Sequence, residues 1–189
     1  RLVPKNWQDN WQNVAMELPE KMSREEIDNQ WPNECRMFEK MYPTLFDINF
    51  EIKVANRFRF AMRELERSKR MQSLLTSGDC TAEQIGIIMN EAWVDAGELY
   101  GIRTEEMDQF ADKAKNIVGV HGIKVMGAGF GGNLLLLTDR DVDLSSLGDD
   151  RIKECSAGRA ASIVDVGDAA LGGRGLQSPN CCWYQAFPQ

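Results

Sequence analysis

The residues best suited to chemistry form one run, Lys124-Val125-Met126-Gly127-Ala128-Gly129-Phe130-Gly131-Gly132-Asn133, with Leu134 to Leu137 directly behind it. Its crowded glycines open backbone conformations closed to residues with a β-carbon, and they leave N–H groups that an anion can approach. The leucines are halted by Thr138-Asp139-Arg140, which reads as a buried strand. The run is therefore a glycine turn between a strand ending near Met126 and another starting near Asn133. Gly127, Gly129 and Gly132 match G-x-G-x-x-G, but that dinucleotide fingerprint needs a helix to open at the glycines and meet the pyrophosphate. Four leucines stand there instead. A Walker loop is excluded, because no Gly-Lys-Ser or Gly-Lys-Thr follows. A hairpin whose glycines serve only close packing stays open as an alternative.

Other candidates are read more plainly. Lys124 is a strand-end lysine facing solvent, Phe130 an anchor beneath the loop, and His121 a turn residue with no serine or cysteine partner placed for it. Asp95 and Asp108 are helix-surface charges. Asp139-Arg140-Asp141-Val142-Asp143 imitates the start of a calcium loop, but its sixth position is Leu144 and its twelfth Asp150, so it can neither turn nor chelate properly. The five cysteines (Cys35, Cys80, Cys155, Cys181, Cys182) contain no C-x-x-C pair, and with a single histidine no zinc site is assembled by spacing. Such cysteine usage fits a reduced, cytoplasmic compartment.

A net charge of −7 and a pI near 4.9 argue against nucleic acid or an anionic membrane as the main partner. No apolar run approaches the roughly 18 residues of a membrane span, and no signal peptide is visible. The chain opens at Arg1 without a methionine, which reads as a fragment or processed chain.

The elements that must position the glycine run come before it. Residues 1–53 form an irregular, partly helical lead-in, with one helix over 7–17 and another started by Ser23, whose Glu26 completes a capping-box spacing. Leu45, Ile48, Phe50 and Ile52 predict one extended segment. Residues 54–118 are helical. Phe58, Ala61, Met62 and Leu65 make the first stripe, and its arginines are read as a solvated face ending at Ser77-Gly78-Asp79. A second helix opens at Thr81 with Gln84 and buries Ile85, Ile88, Met89, Ala92, Ala96 and Leu99. A third opens at Thr104 and buries Met107, Phe110, Ala111, Ala114, Ile117 and Val118. Beyond the bend, residues 149–156 read as a short helix, 161–166 as a last strand, and 176–189 as a tail, either loose or docking. This order supports an α+β fold with helices grouped on one face of a mostly antiparallel sheet.

Residues 123–132 resemble the third conserved motif of the GHMP small-molecule kinases, most closely that of galactokinase and related sugar 1-kinases. Met89-Asn90-Glu91-Ala92, Asp95, Leu99-Tyr100 and Glu105-Glu106-Met107-Asp108 are similar to the galactokinase pattern of two helices ahead of that motif, and Glu17-Leu18-Pro19-Glu20 through Glu26 resembles the opening of its C-terminal half. The likeness is strong over about 80–140, weak over 1–60 and absent after about 175. It implies a ferredoxin-like GHMP C-terminal domain over 54–175, whose loop Met126, Gly127, Ala128, Gly129, Phe130, Gly131 and Gly132 lies next to substrate and phosphate. ATP and Mg would be bound mainly by an absent N-terminal half, which carries the catalytic aspartate in galactokinases. Neither the serine-rich phosphate loop nor the Gly-Glu-His sugar motif of that half occurs here, so no catalytic residue is assigned in this chain.

The implied activity is phosphoryl transfer from ATP to a sugar hydroxyl in carbohydrate metabolism, with the N-terminal half and a small sugar as partners. Two positions depart from the family pattern. Met126 replaces a hydroxyl residue, and Asn133 stands where galactokinases carry a small residue or cysteine. A non-catalytic sugar-binding or regulatory homologue therefore stays open, as does a GHMP kinase for a non-sugar substrate such as mevalonate or homoserine.

Overall fold

Helix starts follow the side-chain caps that the sequence announces. In the computed structural model, which describes residues 4–41, 49–148, 152–155 and 181–186, Ser23 Oγ accepts the Glu26 N–H at 3.3 Å while the Glu26 carboxylate accepts the Ser23 N–H at 2.8 Å. This reciprocal box satisfies two otherwise unpaired donors and opens α3 (Arg24–Gln30). Ahead of it lie α1 (Lys5–Asp9) and α2 (Trp11–Glu17), because Asn10 leaves helical geometry and splits the single helix expected over 7–17. Behind it come α4 (Pro32–Met41) and the start of α5 (Val54–Ser77). Two short strands, β1 (Met22–Ser23) and β2 (Glu51–Ile52), pair antiparallel. Phe50 and Ile52 of the expected extended segment are described; Leu45 and Ile48 lie outside the described residues.

Contacts divide the chain between Ser68 and Lys69, inside α5. In the first unit, the Trp7 ring meets Phe58 edge-on at 6.0 Å and Trp11 Nε1 donates to Glu66 at 2.7 Å. The basic face of α5 is less solvated than its charge suggests: Arg67 is 6% exposed and pairs with Glu64 at 2.6 Å.

The second unit holds the glycine run. After Gly78 stops α5 at a positive φ of 83°, the Thr81 and Gln84 box opens α6 (Ala82–Asp95), which continues into a π-helical turn (Ala96–Tyr100) closed by Gly101. Thr104 caps α7 (Glu105–Lys115). Four strands follow, β3 (Val120–Val125), β4 (Leu134–Asp139), β5 (Ile152–Cys155) and β6 (Cys181–Ala186), in the antiparallel order β3-β4-β6-β5. As an inner strand β4 is covered on both faces, which is why the sequence shows a continuous leucine run there. Leu134 and Leu136 join Trp93, Met107 and Phe110 in one core cluster, whereas Leu137 joins Ile85 and Met89 in another. Neighbouring residues of a strand point to opposite faces, so the apolar packing is two-sided and not confined to one face as expected.

Two further expectations are corrected, and one open alternative is narrowed. Residues 152–155 form a strand where a short helix was expected, because β6 offers them a ladder. Of the two readings open for the tail, docking fits residues 181–186, which lie as a strand between β4 and β5 in the sheet. Val118 is 94% exposed, since the stripe of α7 ends with the helix and the chain has already turned. The strand expected over 161–166 lies outside the described residues. No helix among the described residues is long and apolar enough to cross a membrane.

What positions β3 is α6, lying along its open edge. Asn90 Nδ2 donates to the His121 carbonyl at 3.0 Å, and Asn90 Oδ1 accepts the Ile123 N–H at 3.1 Å. Among the described residues no strand pairs with this edge of β3, and one side-chain amide takes up both groups there. The approach is possible because glycines meet there: a β-carbon on Gly122 would sit 2.7 Å from Gly86 Cα, and one on Gly86 would collide with the His121 carbonyl. Asn90→Ala is expected to lower stability by about 1–3 kcal/mol, the cost of stranding partly buried donors and acceptors, as measured by urea unfolding.

Candidate functional site

The bend joining β3 to β4 closes with the Met126 N–H donating to the Asn133 carbonyl at 2.8 Å. Within it Gly127, Gly129 and Gly131 take φ values of 71°, 80° and 88°, in the region that favours glycine. The seven residues Met126, Gly127, Ala128, Gly129, Phe130, Gly131 and Gly132 thus share one turn that runs into a strand, not into a helix. The N–H groups of Phe130 and Gly132 are used internally, on the carbonyls of Ile102 at 2.8 Å and Gly129 at 3.2 Å. Those of Gly127, Ala128, Gly129 and Gly131 have no hydrogen-bond partner among the described residues. A β-carbon on Gly127 or Gly131 would meet nothing within 4 Å, so the backbone there is open to an incoming group. Bare N–H groups in a glycine turn suit an anion.

Gly129 is different. A β-carbon there would lie 2.6 Å from the carbonyl oxygen of Ile102, so this glycine is the point where the bend rests on the turn between α6 and α7. Phe130 corrects the sequence reading. It is not an anchor below the loop but 72% exposed, at a φ of 56° that few non-glycine residues adopt. Gly129 already fills the contact with Ile102, leaving no space beneath for a ring. Met126 is 37% exposed and Lys124 half-buried.

The remaining candidates sit elsewhere. His121 is in β3 at a bulge, not in a turn; its Nε2 lies 2.8 Å from Asp139 and its Nδ1 3.8 Å from Glu83. The Glu83 carboxyl is held below the usual range chiefly by its own N–H at the start of α6, then by the Thr81 hydroxyl. Asp95 is buried at the last position of α6 and is not a surface charge; Asp108 pairs with Arg103 at 3.0 Å. The residues that imitate a calcium loop line a shallow cleft of about 510 Å³ with Val118 and Gly119, at the far end of the hairpin from the glycine bend. Among the described residues no group of three or more His, Cys, Asp or Glu is placed to hold a metal.

Sequence reasoning missed Ile102, the residue beneath the bend, and its neighbour Arg103, since nothing in their spacing marks a contact so far along the chain. Adding a methyl should separate the two kinds of glycine. Gly127→Ala is expected to cost about 1–2 kcal/mol for its left-handed backbone alone, and Gly129→Ala a further 1–3 kcal/mol for the clash with Ile102, both read by urea unfolding.

No family model matches the chain. It is similar to the galactokinase of Pyrococcus furiosus, at 35% identity over 97 residues that make up 51% of this chain and 26% of that protein. The galactokinase of Thermococcus kodakarensis is 36% identical over 80 residues, 42% of this chain and 22% of that protein. That of Clostridium tetani is 27% identical over 106 residues, 56% of this chain and 26% of that protein. The chain therefore spans about a quarter of the length of the curated relatives it matches, and over about half its own length it is related to galactokinases.

Proposed function

We propose that this chain is the C-terminal part of a cytoplasmic, ATP-dependent sugar kinase of the GHMP type, built on a ferredoxin-like domain. The observation that carries the reading is the glycine bend itself: open above Gly127 and Gly131, with unused N–H groups, in a chain similar to galactokinases. An N-terminal half would hold ATP and Mg, which supply the transferable phosphoryl group and the main countercharge. This chain would then close the site from the other side. Its N–H groups at Gly127, Ala128 and Gly131 would donate to phosphate oxygens, and the missing β-carbons would let donor and acceptor approach. Phosphoryl transfer depends on such positioning and charge stabilisation more than on covalent participation by the protein. The exposed Phe130 ring would shield the site from water.

A second reading, a non-catalytic sugar-binding homologue, draws on Met126, whose partly exposed apolar side chain stands where the family carries a hydroxyl. One assay separates the two. The complete protein, carrying both halves, is expected to release ADP only when sugar is added. In that protein Gly127→Val is expected to lower kcat by about a hundred-fold, the scale of loss from a small misplacement of reacting groups, while the fold is retained. Binding of ATP and sugar without turnover would favour the non-catalytic reading. Full activity in Gly127→Val would remove the bend from the mechanism.

A further inference from the structure

We infer that Arg103 is a positioning residue for the glycine bend, acting through Ile102. Its guanidinium is held on several sides. It lies 4.7 Å from the centroid of the Trp93 ring, within reach of a cation–π attraction. Nη1 donates to the Trp93 carbonyl at 3.1 Å, and Nε lies 3.0 Å from an Asp108 oxygen. Gly97 leaves the space for it, since a β-carbon at 97 would collide with the guanidinium. The π turn makes this arrangement possible. A widened turn disturbs the regular helical ladder and leaves room for a side-chain donor, and Arg103 takes the Trp93 carbonyl.

The next residue back does the work on the bend. Ile102 is buried, its N–H is tied to the Ala96 carbonyl at 3.0 Å, and its own carbonyl accepts the Phe130 N–H at 2.8 Å while its side chain meets Gly129. Trp93 belongs to the same core cluster as Ile123 and Leu134, which flank the bend on β3 and β4. The bend is thus tied twice to one core, through its strands and through Arg103. The second tie fixes Phe130 at its strained backbone angle, which a turn held by its strands alone would not favour. The consequence for catalysis rests on the kinase reading above; the tie itself does not.

The test uses the complete protein with Arg103→Lys and Arg103→Met, and follows backbone hydrogen exchange together with steady-state kinetics. The Phe130 amide is expected to exchange about ten-fold faster in Arg103→Met, as loss of one well-supported hydrogen bond would produce, with the Ile123 amide unchanged. Arg103→Lys keeps the charge over Trp93 but not the fork, so it is expected to fall between the two. Should Arg103→Met fold poorly, Asp108→Asn removes one of the ties and is expected to move the Phe130 amide in the same direction by less. Equal acceleration of Phe130 and Ile123, or of neither, would overturn the inference. In the kinetic arm kcat is expected to fall with KM for sugar unchanged. Faster exchange at Phe130 with unchanged kcat would leave the tie standing and count against the kinase reading.

Discussion

The amide of Asn90 is the contact on which the second unit turns. An outer strand presents unpaired N–H and C=O groups, and β3 is such a strand among the described residues. By donating to His121 and accepting from Ile123, Asn90 converts the side of a helix into a substitute strand. That fixes α6 against the sheet edge, and the Gly86 and Gly122 backbones bring it to near-contact distance. Everything that supports the glycine bend descends from this placement. The π turn, Gly101, Ile102 and Arg103 continue the chain from α6, and Ile102 meets the bend because α6 runs beside β3.

The bend is then an exposed turn with a rigid support. Its two ends are strand termini in a leucine core, and its middle rests on Ile102 through Gly129 and Phe130. The glycines divide the labour. Gly129 gives up its side chain so that two backbones can touch, whereas Gly127 and Gly131 face open space. A loop with those properties holds donors in place at little cost in reorganisation, the general requirement for stabilising developing charge. The likeness to galactokinases supplies the chemistry that such a loop would serve.

Much of this was legible in the sequence where the signal is local. The capping boxes of Ser23 and Thr81, the cap at Thr104, the stop at Gly78 and the strand–bend–strand order around 126–133 all depend on residues a few positions apart. What was not legible depends on distant partners. Residues 152–155 became a strand because β6 pairs with them, and no local pattern announces a partner so far along the chain. Asp95 and Arg67 read as surface charges, since helical spacing reports neither the burial of the end of α6 nor the pairing of Arg67 with Glu64. Phe130 was assigned to the interior by its type, while its flanking glycines and Ile102 left it outside. The glycine in mid-helix at 86 and the one in β3 at 122 were the available hints of close approach.

In the proposed function the bend at 126–133 meets phosphate. A crystal structure of the complete protein with a non-hydrolysable ATP analogue, Mg and sugar tests it directly. Phosphate oxygens are expected about 3 Å from the N–H of Gly127, Ala128 or Gly131, an ordinary hydrogen-bond distance. Phosphates bound well beyond hydrogen-bond reach, with the bend facing solvent or packed on apolar residues of the other half, would contradict it.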